Sequence, residues 1–189
     1  LNPATRLGSP DSNFSTGIGA ISDAEILYSV SGNNLTASGT TGLLVWTGMT
    51  YAPGGTVDCQ DIIVNGTFDP VANQVNISGN WTNAGSVTTS GLVVFDGTAV
   101  QVIVTGGTGA TQDFQNLQIS NTSAAVSLST NAIDIDGTLT VDASAILTPD
   151  AAVIVGGSGT LTGSGTVKVT RTAATADFSS QYTISNITL

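Results

Sequence analysis

One short phrase punctuates this chain: a polar residue, Gly, Thr and an apolar residue. It stands at Asn65-Gly66-Thr67-Phe68, Asp96-Gly97-Thr98-Ala99, Asp136-Gly137-Thr138-Leu139, Ser158-Gly159-Thr160-Leu161 and Ser164-Gly165-Thr166-Val167. The polar residue and Gly suit a tight corner, the branched Thr suits a pleated surface, and the apolar residue is placed to turn inward. A corner that recurs this often predicts a chain wound into coils, each strand stacked about 4.8 Å from its equivalent one turn along. The spacing is uneven, from 6 residues between Gly159 and Gly165 to 40 between Gly97 and Gly137, so the expected solenoid is imperfect.

Between the corners lie short runs rich in Val, Ile and Leu, at 43–46, 57–64, 74–77, 92–95, 101–104, 117–119, 125–128, 133–135, 139–141, 152–155, 160–161 and 167–169. They follow one another more closely than the strands of a typical sandwich. The expected fold is therefore all-β, a right-handed parallel β-helix, with a β-sandwich pilin-like subunit as the alternative. Residues 1–40 read as an irregular or capping segment. Residues 41–189 read as solenoid repeats that continue beyond the chain, with 105–113 leaving the coil as a loop. Within the first segment, Ser22 and Glu25 have the spacing of a capping box for a short helix over 21–30, and a strand fits the same residues equally well.

Composition narrows the function classes. Only 8% of residues are charged, against a usual quarter, and His is absent. Disorder is not expected of a chain that is 40% hydrophobic. The net charge of −10 is opposed by Arg6, Lys168 and Arg171 alone, which leaves no basic cluster for a nucleic-acid backbone. No apolar run approaches the roughly twenty residues of a membrane span, so insertion is not expected. Cys59 is the single cysteine, which excludes an internal disulfide and suits a buried, inert thiol. A surface of small hydroxyls and amides fits an extracellular or cell-surface setting.

Four segments carry a resemblance: Val75-Asn76-Ile77-Ser78-Gly79-Asn80-Trp81-Thr82-Asn83-Ala84-Gly85-Ser86, Val94-Phe95-Asp96-Gly97-Thr98, Phe114-Gln115-Asn116-Leu117-Gln118-Ile119 and Gly165-Thr166-Val167-Lys168-Val169-Thr170-Arg171-Thr172. Over residues 61–189 the chain resembles repeat-rich surface proteins and adhesins of Gram-negative bacteria. The resemblance implies parallel β-helical regions like those of autotransporter passengers, and a structural or adhesive role. It brings no catalytic motif with it.

Without His, the usual general base, triad partner and zinc ligand are missing. Carboxylates remain. Asp134 and Asp136 alternate with Ile133 and Ile135, which places both acids on one outward strand face. They are candidates for a glycosidase-like pair, or with Asp142 for a Ca²⁺ site of oxygen ligands. A solvated strand face is the simpler reading. An EF-hand would need a third ligand before Gly137 and a closing Glu. Gly106–Thr111 and Gly156–Leu161 approach a calcium-binding repeat but place Thr111 and Leu161 where Asp belongs. No cofactor is expected beyond that Ca²⁺ alternative.

Trp46 and Trp81 are candidate carbohydrate contacts, with core packing as the competing role. Asn13, Asn34, Asn65, Asn76, Asn80, Asn121 and Asn186 fit the glycan acceptor pattern, for a host that modifies it. Stacked Asn ladders are the other use of such residues. The expectation is a non-catalytic extracellular module, a stalk or fibre of an adhesin. Its partners would be other domains or copies through end-to-end or edge-strand contact, and host or matrix glycans. The alternatives are a donor-strand-linked filament subunit and a polysaccharide-binding or polysaccharide-cleaving β-helix.

Overall fold

The computed structural model describes residues 42–107, 109–112, 114–150 and 153–168, together with the strand backbones Thr5–Leu7, Ala24–Ile26, Val30–Ser31 and Thr183–Ile184. These residues form a parallel β-helix of about six turns, without helical segments. Its first face holds nine strands in chain order: Thr5–Leu7, Ala24–Ile26, Leu43–Val45, Ile62–Val64, Trp81–Asn83, Gln101–Val104, Val126–Ser129, Ile146–Pro149 and Thr166–Val167. The second face holds Val30–Ser31, Thr50–Ala52, Thr67–Val71 and Ser86–Thr89. The third holds Val57–Cys59, Val75–Ile77, Leu92–Phe95, Phe114–Ile119, Ile133–Val141, Thr160–Gly163 and Thr183–Ile184, with Val155–Gly156 paired to the start of Ile133–Val141.

Neighbours pair in parallel throughout, which removes the sandwich alternative, because sandwich sheets are antiparallel. The first sheet also reaches back into residues 1–40. Ala24 pairs with Leu43 and Thr5 with Ala24. Of the two readings left open for residues 21–30, the described parts, Ala24–Ile26 and Val30–Ser31, are strands.

The register measures the repeat. Leu43 stacks on Ile62 and Ile62 on Trp81, each a step of 19 residues. The step grows to 22 from Trp81 to Ile103 and to 25 from Ile103 to Leu128. Side chains alternate about each strand, so every second residue enters the core and stacks in columns from turn to turn. Val45, Val64, Val57, Val75, Val93, Leu117, Leu139 and Leu161 are all fully buried there. By area, each such side chain contributes about 1.5–3 kcal/mol. An aromatic series runs up the same interior. Tyr51 stacks on Phe68 with centroids 5.6 Å apart, Phe68 tilts against Trp81 at 6.3 Å, and Trp81 tilts against Phe114 at 5.1 Å.

The recurrent corners are places of close approach. A Cβ on Gly66, Gly97, Gly137, Gly159 or Gly165 would come within 3.0 Å of backbone in the turn beneath, against the carbonyl oxygens of Trp46, Ser78, Gln115, Ile135 and Asp142 respectively. Only Gly leaves room for strand spacing to persist through such a corner.

Among the described residues the second face has no strand after Ser86–Thr89, and 105–107 and 109–112 carry no strand either, as the loop reading expects. Val87 N–H donates to the Thr111 carbonyl at 2.8 Å, and the Gln112 amide donates to the Gly85 carbonyl. Gly106 N–H donates to Gln112 Oε1 at 2.8 Å. The loop thus caps part of the edge at Gly85 and Val87.

Candidate functional site

The acidic candidates lie on the outer surface of the turns, where each strand alternates between core and solvent. In Ile133–Val141, Ile133 and Ile135 are buried while Asp134 and Asp136 face outward on one side. Asp136 Oδ1 accepts hydrogen bonds from the Ser158 backbone N–H at 3.0 Å and the Ser158 hydroxyl at 3.2 Å, one turn along. Asp142 points elsewhere. Its Oδ2 accepts from Gln118 Nε2 at 2.8 Å and from the Ser120 hydroxyl at 2.6 Å. Among the described residues, no three His, Cys, Asp or Glu side chains come together to hold a metal, and Asp134, Asp136 and Asp142 are not gathered into one group.

Partial burial raises the Asp134 carboxyl above 3.8, and the Asp136 charge raises it further. Asp96 is also raised from 3.8, by burial first, with the Asp58 charge adding and a backbone hydrogen bond opposing. Lys168 is the only basic residue whose side chain is described, and it is exposed. Among the described residues, no basic side chain enters the causes of either shift.

The aromatic candidates separate. Trp46 is 43% exposed beyond the end of strand Leu43–Val45. Trp81 is 1% exposed and lies between Phe68 and Phe114, so its ring cannot receive a sugar. That corrects the carbohydrate reading of Trp81. Its position opposite Ile62 and Ile103 in the first sheet makes it a core residue.

Among the acceptor asparagines, Asn13, Asn34 and Asn186 lie outside the described residues. Asn65 and Asn80 are exposed. Asn80 Oδ1 accepts from Val102 N–H at 2.9 Å, while Asn80 N–H donates to Asp61 Oδ1 at 2.7 Å. Asn76 is half-buried and donates to Asp58 Oδ1, its register partner one turn below. Asn121 is fully buried, which corrects its reading as an acceptor in the folded chain. Its Nδ2 donates to the Ala99 carbonyl at 2.7 Å and to Gln101 Oε1 at 3.1 Å. Its Oδ1 accepts from Ser123 and Ala124 N–H.

Gln101, which no sequence pattern singles out, is the centre of that buried network. Its Nε2 donates to the Ile77 and Gly79 carbonyls at 2.8 and 2.7 Å, and its Oε1 accepts from Gly97 N–H at 3.0 Å. A glutamine on an outward-reading strand start carries no pattern signal; only the coil-to-coil stacking turns it inward. Cys59 is buried, and its thiol is pushed up to about 12 by burial, with Asp58, Asp61 and Asp96 adding. Such a thiol stays protonated and inert at neutral pH. Tyr51 is raised by burial as well.

No protein-family model matches the chain, and no curated protein or solved structure matches it significantly. Among the described residues, no helix is long and apolar enough to cross a membrane.

Proposed function

We propose that this chain is a non-catalytic structural module of an extracellular or cell-surface protein, a stiff stalk or fibre segment of an adhesin. The observation that carries this reading is where the acidic side chains go. Asp58 holds Asn76, Asp61 holds Asn80 N–H, Asp136 holds Ser158 and Asp142 holds Gln118 and Ser120, each a link of 18 to 24 residues along the chain. These four carboxylates, used as clamps between turns, are not free for acid–base work on a substrate. Stacked turns with satisfied edges resist bending and transmit load along the coil axis. Partners would then be further domains or copies of the same surface protein, meeting at the ends of the sheets.

The test is an activity screen beside a mechanical one. Purified protein incubated with neutral and uronate-containing polysaccharides is expected to release no reducing ends or unsaturated products, and tandem copies pulled in a force spectrometer are expected to unfold turn group by turn group at high force. Turnover of any of these polysaccharides would overturn the structural reading.

Exposure of Trp46 favours a second reading, glycan adhesion through that ring. Trp46→Ala should then abolish retention on a glycan array with folding intact. A wild type that binds no glycan ends this second reading.

A further inference from the structure

Two inward-facing donors on one strand have no acceptor among the described residues. Trp81 and Asn83 are 1% and 2% exposed, and neither Trp81 Nε1 nor Asn83 Nδ2 makes a hydrogen bond among the described residues. The Asn83 amide cannot be turned round to cure this. Its Oδ1 already accepts Gly85 N–H at 3.0 Å, and a flip would set two donors against each other. Trp81 is held equally firmly by Phe68 and Phe114 on either side.

The position in the coil explains why a polar group sits here at all. Asn83 stacks on Val64, which stacks on Val45, so an apolar column turns polar in this turn. One turn on, the described residues 105–107 and 109–112 carry no strand, and the local groups are polar. Thr105, itself buried, donates through Oγ1 to the Ala132 carbonyl at 2.9 Å, and its own carbonyl accepts from the Asn131 amide. The carbonyl of Gly85, the residue whose N–H fixes Asn83, accepts from the Gln112 amide.

We propose that Trp81 and Asn83 bind an internal water at the seam between the turn of Trp81–Asn83 and the loop residues around Thr105 and Gln112. Buried donors are almost always paired with protein or with ordered water, and a buried water needs two to four polar partners. The ligand is a neutral acceptor and not an anion: an anion would need compensating charge, and Lys168, the one basic side chain described, is exposed in the last described turn of the first face. The water accepts the indole N–H and the amide N–H, and its own protons are available to the carbonyls of the seam.

The experiment is water-selective NOE and ROE spectroscopy on ¹⁵N-labelled protein. With two Trp residues in the chain, Trp46→Phe leaves a single indole resonance and assigns Trp81 directly. The Trp81 indole proton and the Asn83 side-chain amide are expected to show water cross-peaks whose sign reports residence longer than molecular tumbling. Absence of those cross-peaks from both groups overturns the site. In Asn83→Val, which restores the residue of the column below, the Trp81–water cross-peak is expected to fall by more than about twofold. An undiminished cross-peak in that variant overturns the shared water. If the variant does not fold, the wild-type spectrum decides alone.

Discussion

Gly85 rests on the carbonyl oxygen of Gly66, one turn below it, so closely that a Cβ would stand within 3.0 Å of three backbone atoms of residues 65 and 66. The contact is backbone on backbone, and neither side has a rotamer to change. Gly85→Ala should therefore force the turns apart and cost about 3 kcal/mol, the upper part of the usual range for overpacking. Gly55 is the control: it has open space around its would-be Cβ. Gly55→Ala should stabilise by about 0.5 kcal/mol through the unfolded chain. Urea unfolding of both variants beside the wild type checks the pair, and equal midpoints would refute the close-approach account.

The corner phrase made the coil legible because the same two requirements, a close approach and a strand restart, fall on adjacent residues, as in Gly66-Thr67 and Gly159-Thr160. Runs such as Leu92–Phe95 and Gln101–Val104 were legible for the ordinary reason that Val and Ile fit a pleated surface. Trp81–Asn83 and Ser86–Thr89 escaped that signal, since Thr82, Asn83 and Ser86 read as turn residues when taken singly. Their strand character comes from stacking on Ile62–Val64 and Thr67–Val71, a contact 19 residues away that no local window contains. The candidate site was less legible still. Alternation placed Asp134 and Asp136 correctly on one face, yet the fates of Trp81 and Asn121 depend on which column of the coil they enter.

Val71 has φ of 53°, a left-handed backbone that costs a β-branched residue about 1–2 kcal/mol. It is 56% exposed, so little packing offsets that cost. The conformation is retained because the Val71 carbonyl anchors the next turn, accepting from Ser90 N–H at 2.7 Å and Gly91 N–H at 3.1 Å. Val71→Gly keeps that carbonyl and relieves the strain. It should raise stability by about 1 kcal/mol, seen as a higher thermal midpoint with an unchanged urea m-value; a lower midpoint would show that the side chain has a packing role.

Acid should strengthen one region of this protein. The folded-state pKa of Asp134 is raised above 3.8, so the folded chain binds that proton more tightly than the unfolded chain does. The stability tied to the protonated form is complete below 3.8 and is lost as pH rises through the raised value. Asp134→Asn mimics the protonated carboxyl. It should melt at a higher temperature than the wild type at pH 7, and the difference should vanish as pH falls below 3.8. A gap independent of pH would place its origin in packing and not in charge.

Gln101 ties together backbone from successive turns, through Ile77 and Gly79 below and through Asn121 above. Gln101→Leu keeps the volume but strips acceptors from Gly97 N–H and the Asn121 amide, and donors from the Ile77 and Gly79 carbonyls. Each buried group left unpaired costs about 1–3 kcal/mol, partly relieved where water can reach it. The single variant should lose about 3–5 kcal/mol, far more than a surface amide would. Asn121→Ala breaks the same network from the other side. The double variant should therefore fall short of the sum of the two losses by about 1 kcal/mol or more, since the amide–amide contact can be lost only once. Denaturant midpoints of the four proteins give that coupling energy; additivity within error would mean that the two amides act independently, and that the turns they join are held by strand pairing alone.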